Sequence, residues 1–189
     1  MKIHVIIGST RQKRFSEKPV RWIYEEAKKR DELDVELVDL REYPLPFFDE
    51  PMSPIRMHGK YSNDIANKWA RKVAEADGYI IVSPEYNHGY PAVLKNALDV
   101  IYKEWNQKPV ALVGYGGSAG GGRAVEQLRQ VVAELQMVSI RESILIHGAW
   151  HVFDEEGNPK DSSLDEKVDS MVKQLLWWTK ALKTARENE

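Results

Sequence analysis

Cysteine is absent from the 189 residues. That removes a disulfide framework, a thiol nucleophile, a zinc ribbon and a cysteine-held iron–sulfur cluster together. Long apolar runs are absent too, since nothing approaches the roughly 18 residues of a membrane span. The opening MKIHVIIGSTRQKR carries too short an apolar run for a secretory signal, so the cytoplasm is the expected location. Nor is there a surplus of basic charge. Twenty-seven Lys and Arg against 29 Asp and Glu leave a formal net charge of −2, without the excess that nucleic acid or an anionic membrane surface attracts. Neither is an expected partner. A P-loop ending in Gly-Lys-Ser/Thr is missing. His147 and His151 are four apart, but Gly148 and the preceding strand pattern argue against a shared helical face. Nearby ligands are not at a recognised spacing, and no metal is expected.

What remains is the composition of a globular protein, 42% hydrophobic and 30% charged. The length suits one domain over residues 1–189 and falls short of the about 250 that a (β/α)₈ barrel needs. Short β-branched runs alternate with amphipathic ones. Lys2–Ile7, Val35–Leu40, Tyr79–Ser83, Val110–Gly114 and Val138–Glu142 read as strands. Helical faces follow at Val20, Ile23, Tyr24 and Ala27, then at Ile65, Trp69 and Val73 behind a Ser62 cap. Further helices run from about Ala92, through Val125–Leu135, and over Ser162–Arg186. The segment 41–60 holds four prolines and reads as a long loop. Parallel strands need right-handed crossovers, so the expected fold is α/β: a three-layer, doubly wound, five-stranded parallel sheet in the order 2-1-3-4-5.

Ligands of such sheets bind beyond the carboxyl ends of the strands, and three unusual loops fall there. Gly8-Ser9-Thr10-Arg11-Gln12-Lys13-Arg14-Phe15-Ser16 leads from the first strand into the first helix. Its hydroxyls at Ser9, Thr10 and Ser16, the guanidinium groups of Arg11 and Arg14 and the free amides of a helix start all suit a phosphate. Ser83-Pro84-Glu85-Tyr86-Asn87-His88-Gly89-Tyr90-Pro91 is stiffened by proline at both ends, with Gly89 expected to permit a positive φ. It suits the polar edge of a planar heterocycle, or equally a subunit contact. Gly114–Arg123 is dense in glycine, so a ligand can approach its backbone closely.

That glycine run also fits two other motifs. Gly114-x-Gly116-x-x-Ala119 matches a loose dinucleotide fingerprint, but the acid about 20 residues on, Glu134, sits in a helical pattern and not at a strand end. Gly116-Gly117-Ser118-Ala119-Gly120 matches the G-x-S-x-G elbow of an α/β hydrolase, with Glu142 and then His147 or His151 in triad order. His4, on a central strand, is expected to be buried and satisfied. Adjacent Trp177 and Trp178 diverge by about 100° on a helix and cannot both face one core.

With these loops in hand, the sequence resembles the NAD(P)H-dependent FMN reductases of the flavodoxin-like superfamily, which include quinone, chromate and azo-dye reductases. The resemblance runs from Lys2 to about Ile146, carried by GSTRQKRFS, SPEYNHGYPAVLKNALD and GYGGSAGG. It implies FMN as cofactor and NAD(P)H as co-substrate, feeding a small acceptor such as a quinone or flavin. Ser9, Arg11, Ser16 and Arg14 would hold the phosphate. Pro84, Glu85, Tyr86 and Asn87 would border the isoalloxazine, largely through backbone groups, with Gly116, Gly117 and Ser118 on its other side. Many relatives have Ser-x-Asn where this chain has Arg14-Phe15-Ser16-Glu17, a departure that bears on Arg14. The resemblance also implies a homodimer or homotetramer packed through Ala92–Tyr102, and it names no side-chain acid or base. A one-electron flavodoxin module is a further alternative; Arg11, Arg14 and the small net charge speak against it.

Overall fold

The computed structural model describes residues 1–188, so only the last position of the expected domain lies outside the described residues. Five runs rich in Ile and Val form the strands β1 (Lys2–Ile7), β2 (Asp34–Asp39), β3 (Gly78–Pro84), β4 (Pro109–Tyr115) and β5 (Val138–Ile146). All neighbours pair in parallel, in the order β2-β1-β3-β4-β5. The helices are α1 (Glu17–Lys28), α2 (Asp64–Ala74), α3 (Ala92–Asp99), α4 (Gly122–Glu134), a short α5 (Ala149–Val152) and α6 (Ser163–Glu187).

Alternation along each strand splits the core in two. Ile3, Val5 and Ile7 of β1 with Ile80 and Val82 of β3 meet Val20 and Ile23 of α1 and Met171 and Leu175 of α6. Ile6, Ile81 and Leu112 face the other way, onto Trp69 of α2, Leu94 and Leu98 of α3 and Leu128 of α4. Both faces are therefore covered, as an all-parallel sheet requires. The flavodoxin-like, doubly wound fold is the one expected from the sequence.

Several boundaries differ from the sequence reading, each for a local reason. β5 runs on to Ile146 because a register shift absorbs Arg141 and Glu142: Val110 pairs with Ser139, whereas Leu112 pairs with Ser143. Asn63, not Ser62, caps α2, its side-chain oxygen accepting from the amides of Ile65 and Ala66 at 2.8 and 3.1 Å; the Ser62 hydroxyl goes to Glu50 instead. α3 stops at Asp99, short of the expected Tyr102. Trp178 packs on the α1/α6 core while Trp177 stands 63% exposed.

His4 corrects a further expectation. It is buried, but its Nε2 has no hydrogen-bond partner among the described residues. Glu36 and Glu75 lie 3.5 and 4.0 Å from that nitrogen, already bridged by the ammonium groups of Lys2 and Lys72. Burial pushes the His4 pKa down to about 4. The unfolded chain then binds the proton below about 6.5 while the folded chain does not. Stability is accordingly expected to be level above that pH and to fall by roughly 2–3 kcal/mol as pH drops from 6.5 to 4. Denaturant unfolding of wild type and His4→Leu across this range is the check; an equal slope in both would remove His4 as the cause.

Candidate active site

The loop after β1 leaves most of its backbone donors without an acceptor while Arg14 occupies the Ser9 carbonyl. From Thr10 to Glu17, the one amide with an acceptor among the described residues is that of Arg11, which reaches Ser9 Oγ at 3.4 Å. The remaining N–H groups crowd the start of α1, where the helix dipole also favours an anion. Arg14 explains the polarity of the loop. Its buried guanidinium donates to the Ser9 carbonyl at 2.5 Å, to both oxygens of Asp39 at 2.8 and 2.6 Å, and to Glu17 at 2.9 Å. Burial alone would raise the Asp39 pKa, but the bonds from Arg14 and Arg41 outweigh it and hold that carboxyl below the usual range. Arg11 differs. Among the described residues its guanidinium has no hydrogen bond or ion pair, and it stands 5.6 Å over the Tyr86 ring.

The two buried serines of this loop are each paired with a phenol from another loop. Ser9 Oγ and Tyr86 OH share a hydrogen bond of 2.9 Å, and Ser16 Oγ and Tyr115 OH one of 2.5 Å. Burial pushes the Tyr115 pKa up to about 12, so it stays a neutral donor at ordinary pH.

The loop after β3 ends in a tight turn closed by Tyr86 and Gly89, whose amides and carbonyls exchange bonds of 2.8 and 3.1 Å. The positive φ falls at Asn87 (48°) and His88 (76°), not at Gly89 as the sequence suggested. Two such residues in succession make the turn type that continues a right-handed strand twist. The flexible end of the Gln127 side chain lies over Gly89, its Oε1 2.9 Å from where a Cβ would stand. The Glu85 side chain turns away to the start of α4, accepting from the Arg123 amide at 3.1 Å and the Arg123 Nε at 2.5 Å. Burial raises the Glu85 pKa, and the Arg123 bonds more than reverse that.

In the loop after β4, Gly121 has φ 83° and a Cβ there would lie 2.4 Å from the Tyr115 nitrogen, so only glycine fits. The amides of Gly117, Ser118 and Ala119 have no backbone acceptor among the described residues. The next segment is laced to this loop: Gly148 N donates to Gly117 O at 2.9 Å and Ala149 N to Gly116 O at 3.1 Å.

Together these loops enclose a cavity of about 320 Å³, lined by Arg11, Arg14, Pro84, Glu85, Tyr86, Gly116 and Gly117 among the expected residues. Ser9 and Ser16 lie behind its wall, through their tyrosines, while Asn87 and Ser118 are outside its lining. Sequence reasoning missed Lys13, Phe15, Tyr115 and Trp150, which also line it. Lys13, Phe15 and Tyr115 lay inside the motifs already singled out; Trp150 gave no signal, because nothing in its spacing ties it to the glycine run.

No triad is assembled around Ser118. His147 Nδ1 lies 2.8 Å from the Ser118 carbonyl oxygen, not its hydroxyl, and Glu142 pairs with Arg141. A nucleophile, base and orienting acid in mutual contact define that chemistry. The hydrolase alternative is thereby set aside.

A doubly wound sheet with an anion cradle after β1, a flat turn after β3 and a side-chain-free wall after β4 is the architecture of a flavin-type nucleotide site. The donor set fits FMN: unpaired amides and Arg11 for a phosphate, and exposed glycine backbone for a planar ring. Comparison with known proteins agrees. Residues 1–151 match the NADPH-dependent FMN reductase family, to which the chain belongs. An NAD(P)H-dependent FMN reductase of Schizosaccharomyces pombe is 46% identical over 136 residues, 72% of this chain and 68% of that one. An Arabidopsis thaliana NADPH:quinone oxidoreductase is 32% identical over 153 residues, 78% and 75% of the two chains. Among solved structures, the flavoenzyme NAD(P)H:(acceptor) oxidoreductase FerB of Paracoccus denitrificans shares the fold with a TM-score of 0.77 at 20% identity, covering 95% of this chain and 97% of that one. The chain is thus an enzyme of the NAD(P)H-dependent, FMN-using class, and no described helix is long and apolar enough to cross a membrane.

Proposed function

We propose that this chain, as one domain over residues 1–189, moves a hydride from NAD(P)H by way of bound FMN to a small planar acceptor of the quinone type. The run of unpaired amides from Thr10 to Glu17 beside an uncommitted Arg11 carries this reading. When bound, FMN supplies the redox chemistry. The protein's task is to hold and orient. Arg11 and the loop amides take the phosphate, with the Ser9 and Ser16 hydroxyls acting alongside the phenols they pair with. Arg14 keeps the loop in shape by occupying the Ser9 carbonyl. Pro84, Glu85, Tyr86 and Asn87 present backbone to the ring's polar edge. Gly116, Gly117 and Ser118 form its other boundary, the amides of Gly117 and Ser118 free to meet carbonyl oxygens. No side chain is assigned a proton transfer. A cytoplasmic setting, where NAD(P)H is abundant, suits this chemistry.

The expected result is a protein that takes up FMN, turns yellow, and then oxidises NADPH in the presence of 1,4-benzoquinone. A preparation that stays colourless with added FMN, yet labels at Ser118 with a fluorophosphonate, would overturn the reading.

A homodimer is part of the same proposal. Phe47 (74% exposed), Phe48, Met52 and Ile55 from the proline-rich loop and Val93 of α3 are large apolar groups open to solvent. A second copy related by a twofold axis would cover such a surface. Sedimentation at micromolar concentration is expected to show about twice the 21.7 kDa chain mass; a monomer alone would count against it.

A further inference from the structure

Trp150 is an exposed indole on a segment that has no freedom to bury it. Ala149 beside it is fully buried, and Phe153 three residues on packs against Phe15 and Trp22 with ring centroids 6.0 and 5.8 Å apart. The backbone between is tied to the glycine loop through Gly148 and Ala149, and His147 Nδ1 adds its contact to the Ser118 carbonyl. Both ends are fixed in the protein, yet Trp150 remains 59% exposed. It lines the site cavity, and its Cη2 lies 3.9 Å from where a Cβ on Gly117 would stand.

Strand order says which end of the cavity this is. The phosphate loop follows β1 and the glycine loop follows β4, two strand spacings or ~10 Å apart. Trp150 stands against Gly117 of that glycine loop, the wall proposed to bound the ring, and so borders the place where a ring would lie. An aromatic side chain with little rotamer freedom, held next to a wall without side chains, offers a flat face to a flat ligand.

We propose that Trp150 is a specificity-determining residue, whose indole stacks on the planar quinoid acceptor and so favours flat acceptors over compact ones. This rests on the flavin-reductase reading above. The test uses two oxidants on FMN-loaded enzyme reduced by NADPH: 1,4-benzoquinone, which is flat, and ferricyanide, an octahedral ion that cannot stack. In Trp150→Ala the KM for benzoquinone is expected to rise about 3- to 10-fold, the loss of one aromatic stack. With FMN kept saturating, the KM for ferricyanide and the circular dichroism spectrum should be unchanged, and Trp150→Phe should recover most of the benzoquinone KM. If both oxidants weaken alike, if neither changes, or if phenylalanine fails to rescue while FMN binds normally, the role of Trp150 is refuted. If the wild type binds no FMN, the underlying reading fails first, and flavin absorbance separates the two cases.

Discussion

Arg11→Ala is expected to bind FMN about 10- to 150-fold more loosely, because a hydrogen bond to a charged group contributes roughly 1.5–3 kcal/mol and each 1.4 kcal/mol is tenfold. The fold should hardly notice. Arg11 makes no ion pair or side-chain hydrogen bond among the described residues and touches the protein only through its position over Tyr86. Riboflavin, which lacks the phosphate, should lose little affinity for the variant. The FMN-loaded form should melt lower while the apo form melts where the wild type does, since ligand stabilises only the state it binds. Equal weakening of FMN and riboflavin would show that Arg11 acts on the ring or on folding, and would sink the phosphate assignment.

Arg14→Ala is expected to behave in the opposite way. Its guanidinium is buried against Asp39, and removing one partner of a buried pair leaves the other charge uncompensated at a cost of about 3–5 kcal/mol. For a chain of this size that lowers the apo melting temperature by roughly 6–20 °C. FMN affinity should also fall, because the Ser9 carbonyl loses its donor and the loop its shape. Arg14→Lys should rescue only in part, since an ammonium cannot fork across both Asp39 oxygens. Acid should mimic the deletion. The folded Asp39 pKa lies below its unfolded value, so the stability it adds is complete above the ordinary carboxylate range and is lost as pH falls through it. An apo melt unchanged by Arg14→Ala would return Arg14 to the role of a direct ligand.

The contrast between these two arginines marks where sequence stops being legible. Both stand in a basic turn after the first strand, and spacing treats them alike. Only the arrival of Asp39 from the end of β2 separates them, and that contact joins residues 25 positions apart. The strands were legible because Ile80–Val82 and Val110–Val113 are apolar on both faces, which a doubly covered sheet demands. The end of β5 was not: the expected strand stops at Glu142, while pairing with β4 resumes beyond a register shift and carries the strand through Ser143–Ile146. Ser62 and Asn63 are equally good caps by type; Glu50 across the loop took the serine. For the site, the glycines announced close backbone approach, but the positive φ expected at Gly89 falls at Asn87 and His88, which residue type does not mark. Trp150 belongs to the cavity solely through the bonds that fold residues 146–149 onto the glycine loop.

Ser9 with Tyr86, and Ser16 with Tyr115, fasten the loop after β1 to the loops after β3 and β4 before any ligand is present. Fasteners made of neutral hydroxyls do not titrate with acid, whereas His4, among the ion pairs of Lys2, Lys72, Glu36 and Glu75, does. Those two sets occupy opposite ends of the strands. Between pH 6.5 and 4 the change at the amino ends of the sheet is that of His4, while the hydroxyl fasteners at the cavity stay closed, so cofactor release in that range is not expected to precede unfolding.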